Sequence, residues 1–152
     1  MSIESVKAFF AAHAPDLQVI ELDVSTATVE LAAAGHGVAP GQIAKTLAIR
    51  VGDEVALLAA KGTARLDNRK FKARFSTKPR MLPLDEVERE TGHPVGGVCP
   101  FGLAKPLKVY CDISLQAYDE VVPAAGAINA AVRISPARMA QLTGAEWIDV
   151  CE

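Results

Sequence analysis

The chain has 152 residues, half of them hydrophobic and 22% charged, with a formal net charge of −2. That length and apolar share support a buried core without cross-links, and they exclude a disordered chain, in which low hydrophobicity goes with high net charge. No apolar run approaches the roughly 18 residues of a membrane span, and Met1-Ser2-Ile3-Glu4 lacks a basic start followed by an apolar stretch, so a cytoplasmic protein with no membrane partner is expected.

In chain order, Ser2 is expected to cap a helix whose Ile3, Val6, Phe9 and Phe10 share one face, ending before Pro15. Leu17–Leu22 reads as a strand. Ser25 or Thr26 is expected to cap a second helix running through Val29 to Ala34 and stopped by Gly35 and Gly37. After a turn at Pro40-Gly41, the runs 43–51 and 54–60 predict a hairpin joined at Gly52-Asp53. Asp67 is the expected N-cap of a basic helix, with Leu66 and Phe71 as a hydrophobic staple. A short extended piece at 80–82 precedes a helix opened by Pro83, acidic at Asp85 and Glu86 and ended by Gly92. The glycine-rich segment 96–102 leads to strands at 107–112, 120–123 and 130–134. Ser135 and Pro136 open a last helix that Gly144 closes, and residues 146–150 form the final strand. The elements follow no regular βαβ alternation and contain no linker. The expectation is an α+β fold, one domain over 1–152 with a mixed, mainly antiparallel sheet flanked by helices.

The net charge conceals an asymmetry. Eight basic residues, Lys61, Arg65, Arg69, Lys70, Lys72, Arg74, Lys78 and Arg80, face one acid, Asp67, in twenty residues, so this stretch carries +7 and the remainder −9. A clustered cationic stripe on an acidic protein fits local attraction to a polyanion such as nucleic acid; the same pattern also describes a solvated helix face. Phe71 and Phe75, at i,i+4 within the stripe, are expected to anchor that helix to the core.

Chemistry-bearing residues are few. Strand periodicity puts Lys45 on one face with Ile43, Leu47 and Ile49. A lysine among aliphatics needs a partner or a wet cavity, unless the strand starts at Thr46 and Lys45 reaches solvent. Gly96-Gly97-Val98-Cys99-Pro100-Phe101-Gly102 forms a tight loop whose backbone can approach a ligand and whose N–H groups can cradle an oxyanion, or it is a structural turn. Cys99 is a nucleophile only if a base such as His93 or Lys45 reaches it. Asp112 either positions a lysine or a substrate amine, or caps the turn at Ser114. Gly126-Ala127-Ile128-Asn129 either lines a pocket or links two strands. Cys99, Cys111 and Cys151 form no CxxC pair, and His13, His36 and His93 are scattered, so neither a disulfide framework nor a metal site is expected. Neither GxxxxGKS/T nor GxGxxG occurs, and no cofactor is expected.

Taken together, Ser25-Thr26-Ala27-Thr28-Val29-Glu30, Gln42-Ile43-Ala44-Lys45-Thr46-Leu47, Leu66-Asp67-Asn68-Arg69-Lys70 and the 96–102 loop resemble the YbaK/ProX family, free-standing relatives of the editing domain inserted in bacterial prolyl-tRNA synthetases. The resemblance runs in order from about residue 19 to 147. It implies a trans-editing deacylase that hydrolyses the ester of a mischarged tRNA, tRNA(Pro) carrying a small amino acid, without metal or cofactor; the alternative is a non-catalytic tRNA- or synthetase-binding module. The implied partners are aminoacylated tRNA and prolyl-tRNA synthetase. Lys45 matches the family's functional lysine, with Gly97, Cys99 and Gly102 as further catalytic positions. Thr26, Gly96, Pro100, Phe101, Asp112, Gly126 and Asn129 fall to substrate binding. Cys99 stands where many members carry serine, so a serine-dependent mechanism does not transfer.

Overall fold

Helix α1 (Ser2–His13) lays Val6 and Phe10 against Phe101, whose ring centroid lies 4.7 Å from that of Phe10. These elements belong to a computed structural model that describes residues 2–152. Ser2 lies inside α1 and donates its hydroxyl to the Gly126 carbonyl instead of capping the helix. Ser5 donates to the Gly102 carbonyl at 2.9 Å. The expected strand at 17–22 shortens to β1 (Ile20–Glu21), because its partner β7 (Ala130–Ala131) supplies only two residues. Helix α2 (Val29–His36) is capped by Thr28, whose side chain accepts the Leu31 N–H at 3.1 Å; Ser25 and Thr26 lie too early. Gly37, at φ 69°, closes α2.

Next come β2 (Ile43–Val51) and β3 (Glu54–Lys61), an antiparallel ladder of eight residue pairs turned at Gly52-Asp53. Asp67 caps α3 (Asn68–Phe75), accepting the N–H groups of Arg69 and Lys70 at 2.9 and 3.0 Å. Leu66 and Phe71 share a cluster with Ile49, Leu58, Ile148 and Val150, and the Phe71, Phe75 and Tyr110 rings stack in sequence against the sheet. The aromatics of the basic helix are therefore anchors, as their spacing suggested.

After β4 (Arg80–Met81), Pro83 precedes α4 (Leu84–Thr91), and Gly92 closes it at φ 80°. Then follow β5 (Lys108–Asp112), β6 (Val122–Pro123), β7, α5 (Pro136–Thr143) and β8 (Glu146–Ile148). The main sheet runs β4-β2-β3-β5-β8, with β6 on the β4 side of β2. It is mixed: β2 pairs antiparallel with β3 and β4, while β6–β2, β5–β3 and β8–β5 are parallel. Helix α3 covers one face, and the other packs on α1, α4 and the glycine loop through Ala44, Ala48, Leu57, Ala59 and Val109. Among the described residues, no helix is long and apolar enough to cross a membrane.

Candidate functional site

A cavity of about 410 Å³ opens along the outer edge of β2, between the start of α2, the β4–α4 junction and the glycine loop. Its walls are largely aliphatic, formed by Val29, Ala32, Leu82, Val87, Val98 and Val122. Met81, Leu84 and Val95 also line it while being 54, 72 and 49% exposed, which gives the mouth an apolar rim. The size suits a small ligand, and few polar groups lie in the lining.

Lys45, Thr26 and Gly96 are the expected site residues that this cavity brings together. Lys45 is half-buried, although burial along β2 does not alternate: Ala44 before it is buried, while Thr46 and Leu47 after it are half-buried as well. Its Nζ donates to the Ala64 carbonyl and forms no ion pair with a carboxylate among the described residues. Burial pulls the ammonium below the ordinary lysine range, and the neighbouring Arg65 charge adds to the effect. Thr26 is buried; its N–H and hydroxyl both donate to the Ile128 carbonyl, at 2.6 and 3.0 Å, and so fasten the start of the α2 segment to the 126–129 turn. Gly96 adopts φ 91°, and a Cβ there would lie 2.9 Å from that of Ala27, so close packing at the cavity wall requires glycine.

Apart from Gly96 and Val98, the loop serves the core. A Cβ on Gly97 would come within 2.8 Å of the Ala127 nitrogen, and one on Gly102 within 2.7 Å of Ser5 backbone atoms. Gly126 plays the same part at 2.8 Å from the Ser2 carbonyl oxygen. These glycines dock α1 and the 126–129 turn; Gly97, Gly102 and Gly126 do not line the cavity. The Gly97 N–H is engaged by the Pro94 carbonyl at 2.9 Å, so this amide is not free to join the oxyanion cradle expected of the 96–102 loop. Pro100 and Phe101 are buried in the core.

Cys99 is not placed to be a nucleophile. It is fully buried, outside the cavity lining, and burial pushes its thiol up to about 12. His93 does approach it, at 3.6 Å, but the same Nε2 lies 2.7 Å from the Phe101 carbonyl oxygen and must carry the proton there. Asp112 is 1% exposed: one oxygen accepts the Ser114 N–H at 2.9 Å and the other the Val150 N–H at 2.8 Å. It caps a turn and fastens the C-terminal segment, away from the cavity. Asn129 donates to the Leu22 carbonyl at 2.9 Å and ties down β1.

Of the basic stripe, Lys70 pairs with Asp149 and Arg74 with Glu146. Lys61, Arg65, Arg69, Lys72, Lys78 and Arg80 form no ion pair among the described residues. Arg80 precedes the rim residue Met81, and Arg65 follows Ala64, the partner of Lys45.

Sequence reasoning did not single out Thr46. It lines the cavity, and its Oγ1 is buried without a hydrogen-bond partner among the described residues. The signal was its place on a strand between two short proline-bearing partners, which only the pairing reveals.

YwhH of Bacillus subtilis (strain 168), an uncharacterized protein, is 44% identical over 154 residues, covering 100% of this chain and 98% of its own length. The solved structure of a proposed trans-editing enzyme for prolyl-tRNA synthetase superposes with a TM-score of 0.90 at 34% identity, covering 99% of this chain and 97% of the other. That of the hypothetical protein APE2540 gives 0.88 at 30% identity, covering 97% and 99%. Residues 23–142 match the aminoacyl-tRNA editing domain. By this match, with relatives aligned over nearly their whole length, the chain belongs to the aminoacyl-tRNA editing domain family.

Proposed function

We propose that the protein is a trans-acting deacylase that hydrolyses the ester of a mischarged tRNA, tRNA(Pro) bearing a small amino acid. The observation that carries this reading is the aliphatic cavity of about 410 Å³ that Lys45 and Gly96 line together. The amino acid enters the cavity, and the terminal ribose and phosphate remain at its mouth. Lys45, an ammonium with no carboxylate partner, supplies a cation for the terminal phosphate or the ribose oxygens. The segment at Gly96 and Val98 faces the ester.

A water molecule attacks the ester carbon, and the substrate's neighbouring ribose hydroxyl relays the proton, taking it from the water and passing its own to the ribose oxygen that leaves. The carbon–oxygen bond to the ribose breaks, and free amino acid and uncharged tRNA result. An ester is activated enough for positioning and electrostatics to supply the rate without a strong protein base. The basic stripe holds the acceptor stem through its phosphates, a salt-sensitive contact. Selection follows cavity size, since one methylene is worth about 10–200-fold in an apolar pocket. Docking to prolyl-tRNA synthetase accords with the relative described as its trans-editing enzyme.

The test is ester loss from tRNA charged with Ala, Cys, Ser, Thr or Pro, for the wild type and Lys45→Ala. A small aminoacyl ester is expected to be cleaved, and the variant to lose about 100-fold or more in rate, the scale of removing one transition-state contact. Binding without turnover would make the protein a non-catalytic module, and cleavage of simple esters alone would make it a general esterase.

A further inference from the structure

The outer edge of β2 is paired at both ends and bare in the middle. At one end β6 pairs Val122 and Pro123 with Ile43 and Ala44. At the other β4 pairs Arg80 and Met81 with Arg50 and Ile49, and the Leu82 N–H donates to the Ala48 carbonyl at 2.9 Å. Each partner stops at a proline: Pro123 ends β6, and Pro83 turns the chain into α4.

The gap falls on Thr46. Backbone groups alternate between the two edges of a strand, so the residue two before Ala48 turns its N–H and C=O to the same edge as the Ala48 carbonyl. Neither β4 nor β6 reaches it. The Thr46 hydroxyl is an orphan at the same point, and the residue lines the cavity. Buried polar groups in proteins are nearly always paired, so the buried Thr46 hydroxyl, without a partner among the described residues and beside a backbone donor and acceptor that neither neighbouring strand pairs, indicates a ligand that brings the complementary set.

We propose that the aminoacyl group of the substrate binds the open edge of β2 as a one-residue strand, its α-ammonium donating to the Thr46 carbonyl and its ester carbonyl accepting the Thr46 N–H. An antiparallel hydrogen-bonded pair needs one donor and one acceptor from each residue, and an amino acid ester carries both, spaced as in a peptide. This is strand addition reduced to a single residue. The hydroxyl of Thr46 accepts a second hydrogen from the ammonium. The edge thus recognises the part that all aminoacyl esters share, while the aliphatic walls measure the side chain. It also places a backbone donor on the ester oxygen, where negative charge develops. The inference rests on the deacylase reading and adds a requirement that reading does not contain: a free α-amino group.

The probe is 3′-deoxy-3′-(alanylamino)adenosine, whose amide cannot be hydrolysed as the ester is, followed by 15N-resolved NMR beside its N-acetylated counterpart. The alanyl compound is expected to bind and to shift the Thr46 amide, and acetylation to weaken binding at least tenfold. In parallel, Thr46→Val, which keeps the shape of the side chain, is expected to raise KM for alanyl-tRNA while Thr46→Ser retains wild-type values. Binding that leaves the Thr46 amide unmoved, or equal binding of the acetylated compound, overturns the edge assignment. So does failure of the alanyl compound to bind. Ester loss from aminoacyl-tRNA decides the deacylase reading separately, because it is measured without reference to the α-amino group.

Discussion

The two sides of β2 follow opposite rules. On the face toward α3, Leu47 and Ile49 pack with Leu58, Phe71 and Ile148, with Phe71 and Ile49 wholly buried. Along the outer edge, at the neighbouring residues Lys45 and Thr46, the same strand borders a cavity with a half-buried ammonium and a hydroxyl that has no partner among the described residues. One side is filled to the density that stability requires, and the other leaves polar groups unmatched at a cost to stability. The lesson is that a single strand can hold the core with its face while its edge is left open.

Four changes would sharpen or break this division, in order of decreasing effect. Phe71→Ala should cost about 3–5 kcal/mol by emptying the packed side, read as a lower denaturant midpoint, while deacylation per folded molecule stays near wild type. Loss of specific activity in the folded fraction would show that the two sides are not separable. Next, Arg69→Glu combined with Lys72→Glu should raise KM for aminoacyl-tRNA about tenfold and flatten the salt dependence by roughly one unit of slope for each phosphate no longer neutralised. An aminoacyl-adenosine, which lacks the stem, should be cleaved as before; an unchanged salt slope would remove the stripe from tRNA binding.

Asp67→Ala should cost about 1 kcal/mol, since it leaves the N–H groups of Arg69 and Lys70 without their acceptor. Calorimetry that shows no change would mean that α3 is held by its aromatics alone. The smallest effect concerns pH. The Lys45 ammonium titrates below its unfolded value of 10.5 because burial disfavours its charge. Between those two values the unfolded chain binds more protons than the folded one, so wild-type stability should rise with pH across that window. Lys45→Met should lack this rise, and parallel urea curves for the two proteins from pH 7 to 10.5 would contradict the burial of the amine.

Much of the fold was legible because local rules decide it. The β2–β3 hairpin followed from two β-rich runs around Gly52-Asp53, and α3 from Asp67, Leu66 and Phe71 at capping and staple positions. Helix ends at Gly37, Gly92 and Gly144 followed from the left-handed conformation that glycine accepts, which each adopts. Errors came where a distant partner intervenes. Ser2 caps nothing because the Gly126 carbonyl takes its hydroxyl, and β1 is short because β7 is short.

The sequence by itself determined the α+β class and the basic stripe, because periodicity, charge and turn chemistry act over a few neighbouring residues; for Lys45 it left open an inward and a solvent-reaching placement. Only the tertiary structure decided how the glycine loop divides its work. Gly96 reaches the cavity, Gly97 and Gly102 admit Ala127 and α1, and Cys99 is sealed in the core, since close approach depends on segments far away in the chain. The same holds for Thr46, which is an ordinary strand residue until the ends of β4 and β6 leave its backbone unpaired.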